Sequence, residues 1–231
     1  KIVIPEKNKK FFSEKIMKFL TSFFLAFFVV SSFSCRKFKE EKVITKAKPF
    51  SPTNIYPVER LPQYFTRVVL LPCFHEDPDN SILEFSDQIF HRELAQEKIF
   101  EIVKLSPYEM INLFGVRRVS STASLPANFL KIIENYTAAN GVIFIDLDSY
   151  RPFRPMSLGV RSKLVDLKTG EFMWAIDETF DAGHASIIVN ASQFQELSQV
   201  RALSERTSGS VLHSPRHFTK YVASTIFSTL P

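Results

Sequence analysis

Two carboxylates and two imidazoles stand at spacings that chemistry can use. Asp146 and Asp148 are two apart in the apolar run Val142-Ile-Phe-Ile-Asp-Leu-Asp148, and on a strand that period puts both on one face, about 7 Å apart. Such a pair suits acid–base work or a cation. The Arg151, Arg154 and Arg161 that follow offer a plainer reading, ion pairing at a strand end. His213 and His217 are four apart and can chelate a metal if one helix carries both. Pro215 puts a helix start between them and no third ligand is evident, so a capped helix start with exposed imidazoles is the simpler expectation. Phe172, Trp174 and Phe180 alternate along a second strand, which fits core packing and also an aromatic patch for a partner. Arg117 and Arg118 lie in a polar stretch, as solvated charge or as a partner contact. The chain has no Gly-rich phosphate loop, H-E-x-x-H, C-x-x-C or G-x-S-x-G sequence, and each of those is what its chemistry requires. No catalytic residue, metal or cofactor is therefore assigned.

The elements that would position these residues begin at Arg67. Arg67-Val-Val-Leu-Leu-Pro-Cys73 is an almost wholly apolar run, as for a strand covered on both faces. Ser81 and Glu84 have capping-box spacing for a helix whose apolar face holds Ile82, Phe85, Ile89, Phe90 and Leu94. Phe100 to Leu105 reads as a second strand, and Ser106-Pro107 opens a helical turn through Phe114. A polar loop from Arg117 to Ser124 leads to a helix from about Pro126, striped by Phe129, Ile132, Ile133 and Tyr136. Asn140-Gly141 stops it, and Val142 to Asp148 is the strongest strand. Gly159–Leu167 and Glu171–Phe180 flank the turn Lys168-Thr169-Gly170 as a hairpin. Residues 184–210 are weakly patterned, either a helix from Ala191 to Glu205 or a loop. Ser214-Pro215 starts a last helix with Phe218, Tyr221, Val222 and Ile226 on one face. The order predicts an α/β fold: a mixed sheet of about five strands, helices on its faces, a parallel core and an antiparallel hairpin at one side.

Charge divides the chain further. Its 231 residues carry 29 Lys plus Arg against 24 Asp plus Glu, a net of +5. Residues 1–34 hold +4, residues 36–48 another +4, and residues 49–231 hold −3. The basic excess is N-terminal, so it gives no case for nucleic acid. Residues 19–34 have no charge and follow Lys7, Lys9, Lys10, Lys15 and Lys18. A positive stretch, a short apolar run and small residues make a secretory signal segment over 1–34, with Met17 the expected true start. Cys35 follows Ser31-Ser32-Phe33-Ser34 and resembles the lipobox of bacterial lipoproteins, in which the Cys is lipidated and becomes the mature N-terminus. Ser32 and Phe33 depart from the usual pattern, and an uncleaved anchor or plain secretion are the alternatives. Arg36 stands where an Asp commonly marks inner-membrane retention, which favours the outer membrane. Residues 35–66 then read as lipidated Cys and tether, because Pro49, Pro52, Pro57 and Pro62 oppose regular structure, and 67–231 as a single domain. Cys73 has no partner in this scheme and is expected as a small buried side chain.

The opening Arg-Val-Val-Leu-Leu-Pro strand, the Ala-Asn-Gly-Val-Ile-Phe-Ile strand and the hairpin Leu164-Val-Asp-Leu-Lys-Thr-Gly-Glu-Phe-Met-Trp174 resemble a bacterial envelope family. It is the α/β domain shared by the TolB amino-terminal region, the curli secretion lipoprotein CsgG and the penicillin-binding-protein activator LpoB. The resemblance covers residues 67–180, and Asp-x-x-Thr-Gly followed by an apolar residue and Trp is its most distinctive part. It implies an adaptor, secretion component or activator and not an enzyme. The expectation is an outer-membrane lipoprotein facing the periplasm, attached through Cys35, with an envelope protein as partner and Arg117, Arg118 and Trp174 as candidate contacts. A homo-oligomeric structural or secretion subunit is the alternative, and an envelope hydrolase using Asp146 and Asp148 a third.

Overall fold

The computed structural model describes residues 47–57, 60–201 and 210–231. The expected signal segment, Cys35 and the expected tether through residue 46, together with residues 58–59, lie outside the described residues. Six strands form one mixed sheet: β1 Ile55–Pro57, β2 Arg67–Leu70, β3 Glu101–Lys104, β4 Gly141–Arg151, β5 Ser157–Asp166 and β6 Phe172–Asp181, in the order β1-β6-β5-β4-β2-β3. Among the described residues five α-helices accompany them: α1 Ser86–Glu97, α2 Pro107–Phe114, α3 Phe129–Thr137, α4 Ala185–Arg201 and α5 Pro215–Phe227. β2 pairs in parallel with β3 and β4, while β4, β5, β6 and β1 pair antiparallel.

β2 shows why its run is apolar throughout. Val68 and Leu70 enter one buried cluster with α1, α4 and α5, and Val69 and Leu71 enter another with α2 and α3. Successive strand side chains point to opposite faces, so a strand between two helical layers needs no polar position. The two crossovers explain the layers. The chain leaves β2 for β3 on one side and returns past β2 to β4 on the other. Right-handed connections in opposite directions put their helices on opposite faces.

Local signals start the helices. Ser106 Oγ accepts from the Glu109 amide at 3.2 Å, and Glu109 returns to the Ser106 amide at 2.7 Å. With Pro107 in the first turn, that box satisfies two otherwise orphaned donors. Ser214 caps α5 on the His217 amide, again with Pro in the first turn. The Ser81–Glu84 box does not form: Asn80 caps a 3-10 turn over Ser81–Glu84 by accepting from the Ile82 amide, and α1 begins only at Ser86. Asn80 competes well because its short carboxamide reaches an amide two residues on.

Three expectations change. The sheet has six strands, because Ile55–Pro57, within the expected tether, adds itself to the β6 edge. Pro57 is tolerated there as the last residue of an edge strand. Phe50, five residues earlier, packs edge-on against Phe180 at 5.2 Å and donates its amide to the Ser186 carbonyl. The weakly patterned stretch is helical from Ala185 to Arg201, earlier than expected, and residues 202–209 lie outside those described. Tyr136 is exposed, and Thr137 takes its place on the buried side of α3.

Candidate functional site

Asp146 and Asp148 share a strand face but not an environment. Asp146 is buried and accepts from Ser120 Oγ at 2.9 Å, Ser121 Oγ at 2.8 Å and the Ser121 amide at 3.0 Å to both carboxylate oxygens. Lys163 Nζ donates to the Ser121 carbonyl at 2.9 Å. The carboxylate thus clasps the 117–124 loop onto the sheet, a use of its lone pairs that leaves little for a substrate or cation. Asp148 is exposed and lies over Gly159, its cross-strand partner, where a β-carbon would collide with its carboxylate. The arginines pair elsewhere: Arg161 with Asp177 at 2.8 Å and Arg151 with Asp181 at 3.3 Å. The Asp177 hydrogen bond pushes the Arg161 guanidinium above its ordinary pKa.

The candidate contact residues separate in the same way. Arg118 forks onto Asp87 with two 3.0 Å hydrogen bonds and also donates to the Cys73 carbonyl, so it ties the loop to α1. Both side chains are mostly buried, and Arg118 is a structural cation. Arg117 is exposed. Cys73 is a buried free thiol whose pKa burial pushes well up, so it is inert. His213 is exposed, His217 half-buried, and no group of three His, Cys, Asp or Glu among the described residues could hold a metal ion.

Trp174 is fully buried, and its indole donates to Thr229 Oγ1 at 3.1 Å just past α5. Phe180 is buried with it, but Phe172 is 52% exposed. The reason is a β-bulge: Leu164 faces Trp174, the next residue Val165 faces Phe172, and Met173 is the extra residue between them. One inserted residue reverses strand parity. Phe172 therefore joins the opposite face, with Lys163 Nζ 5.6 Å from its ring centroid.

That opposite face is the surface which the arrangement leaves for recognition. The α2 and α3 cluster covers β2 and β4 but, from β5 onward, takes in only Val165 and Leu167. Beyond it lie Phe172, Lys163, Ala175, the Arg161–Asp177 pair and Tyr56 of β1, which is 61% exposed. Sequence reading missed Tyr56 and the exposure of Phe172, since one sits on an unexpected strand and the other follows a bulge. An aromatic, partly charged sheet face of this kind can bind a protein surface. No helix of the described residues is long and apolar enough to cross a membrane.

No family model matches the chain, and no curated protein matches it. Among solved structures it is similar to the lipoprotein GNA1162 from Neisseria meningitidis, at 12% identity over 60% of this chain and 98% of that one, with a TM-score of 0.40. A PelC dodecamer from Paraburkholderia phytofirmans matches at 12% identity over 59% and 92%, with a TM-score of 0.38. The LpoB C-terminal domain from Escherichia coli matches at 16% identity over 50% and 82%, with a TM-score of 0.34.

Proposed function

We propose that this chain is a non-enzymatic lipoprotein of the bacterial envelope, held to the outer membrane through Cys35 and presenting its α/β domain to a periplasmic protein partner. The carrying observation is the order of the sequence: Lys-rich stretch, sixteen uncharged residues, Cys35, basic connector, folded domain. One acyl chain holds a protein only marginally, and two or more make attachment durable. Two further facts support an interaction role over catalysis. Asp146, which could have served a reaction, is engaged in fixing the 117–124 loop. The β5–β6–β1 face carries exposed Phe172 and Tyr56 with no helix over it among the described residues.

Crosslinking in intact cells followed by detergent purification tests the reading. It predicts one recurrent envelope protein crosslinked through Tyr56 and Phe172, and loss of that species in Tyr56→Asp/Phe172→Asp. Repeated recovery of the monomer alone would count against it. A homo-oligomeric subunit is the second reading, favoured by the same open face. Native mass separates the two, because a strictly monomeric acylated protein excludes the oligomer.

A further inference from the structure

The tip of the β4–β5 hairpin, Arg151-Pro-Phe-Arg-Pro155, belongs to neither buried cluster and to no part of the open sheet face. Phe153 at its apex is 78% exposed, more than any other large apolar side chain described. The loop is nevertheless braced. Arg151 Nε donates to the Pro155 carbonyl at 2.6 Å, its Nη2 reaches Asp181 at 3.3 Å, and the Ala182 amide donates to the Met156 carbonyl at 2.8 Å. Asp181 balances the Arg151 charge, whereas Arg154 is exposed and has no ion pair among the described residues. The other titratable groups toward this end are exposed His184 and Asp148, half-buried Tyr150 with exposed Glu84 near it, and exposed Glu76, Asp77 and Asp79, which follow Phe74 where it runs beside β4.

The tip also lies where the chain enters the domain. Phe50 packs on Phe180, one residue from the Asp181 that holds Arg151, and Lys48 is exposed two residues earlier. Thirteen residue steps separate Cys35 from Lys48, and covalent geometry caps that distance at roughly 45 Å. The opposite end of the sheet, the Lys168-Thr169-Gly170 turn, is a further ~30 Å away along β5.

We propose that this tip is a membrane-contacting wedge: Phe153 enters the interface of an anionic bilayer while Arg154 and Lys48 meet its headgroups, seating the domain with its tip end down. The inference rests on the Cys35 anchor. A bilayer suits the geometry better than a protein does. A protein hot spot needs a surrounding ring of contacts, and a lone projecting aromatic flanked by cations needs only an interface between apolar and charged layers.

The test uses the full acylated chain, reconstituted into phosphatidylethanolamine–phosphatidylglycerol vesicles, with a nitroxide on Phe153→Cys or, as control, on Lys168→Cys. Cys73 is buried and stays unlabelled. The proposal predicts that the label at 153 loses about five-fold or more of its collisions with an aqueous nickel chelate and gains collisions with oxygen, while the label at 168 does neither. Arg154→Gln should weaken the docked state about five-fold, and phosphatidylcholine vesicles should weaken it further. Labels equally water-exposed on a chain that floats with the vesicles overturn the wedge alone. A chain that stays behind the vesicles overturns anchor and wedge together. Shielding at 153 that persists in the unacylated Cys35→Ser chain, with neither lipid nor detergent present, would assign the tip to a protein contact instead.

Discussion

Asp146 carries four hydrogen-bond contacts from two adjacent serines, so its removal leaves the Ser121 amide without this acceptor and the buried Ser120 hydroxyl with Thr122 Oγ1 as its side-chain partner. Asp146→Ala is expected to cost about 2–3 kcal/mol, read by urea unfolding with Trp174, the chain's one tryptophan, as the fluorescent reporter. Exposed Asp148→Asn should change stability by under about 0.5 kcal/mol. Equal losses at both positions would contradict the clasp. The shared face of the two carboxylates was legible from a spacing of two. Their separate fates were not, because Ser120 and Ser121 lie some 25 residues away in a loop without periodicity. Arg118 was misread for the same reason, since Asp87 is 31 residues distant. Phe172 was misread because nothing local marks Met173 as the bulged residue.

Between elements, the seam of α1 and α5 holds a second buried carboxylate. Glu93 of α1 is buried, 4.0 Å from Lys220 of α5 and 3.3 Å from Gln96. Burial raises its pKa above 4.5, against the opposing pull of Lys220 and Arg92. The folded chain then holds this proton more tightly than the unfolded one. Stability is gained as pH falls through the raised pKa and diminishes as pH rises from the unfolded value through it. Glu93→Gln is expected to flatten that part of the pH–stability profile and to raise stability at neutral pH; a steeper decline would contradict the assignment. In α2, Ser106→Ala removes a capping box and should cost about 1 kcal/mol, measured by thermal unfolding. Both Ser-Pro helix starts were legible because capping chemistry is local. Strand β1 was not, since three residues in a proline-rich stretch acquire their conformation from the β6 edge they meet. The Ala185–Arg201 helix was blurred because its apolar residues do not gather on one face.

At the scale of the molecule, the class of fold was readable because the alternation of apolar runs and capped helices survives averaging over many residues. The antiparallel hairpin at one side of a parallel core followed from the short Lys168-Thr169-Gly170 turn, where Gly170 takes a left-handed φ of 76°. What the sequence held about function lies mostly upstream of the domain, in a charge division of +4, +4 and −3. Attachment through Cys35 implies that Cys35→Ser moves the protein from the membrane to the soluble fraction after the signal is removed. Continued membrane partitioning of the processed variant would contradict it. The most direct measurement is the mass of the mature protein's N-terminal peptide. The account predicts a peptide that begins at Cys35 and carries acyl chains on it. A peptide with a free Cys35 thiol, or one that still continues upstream through residues 19–34, would contradict the lipid anchor and the function built on it.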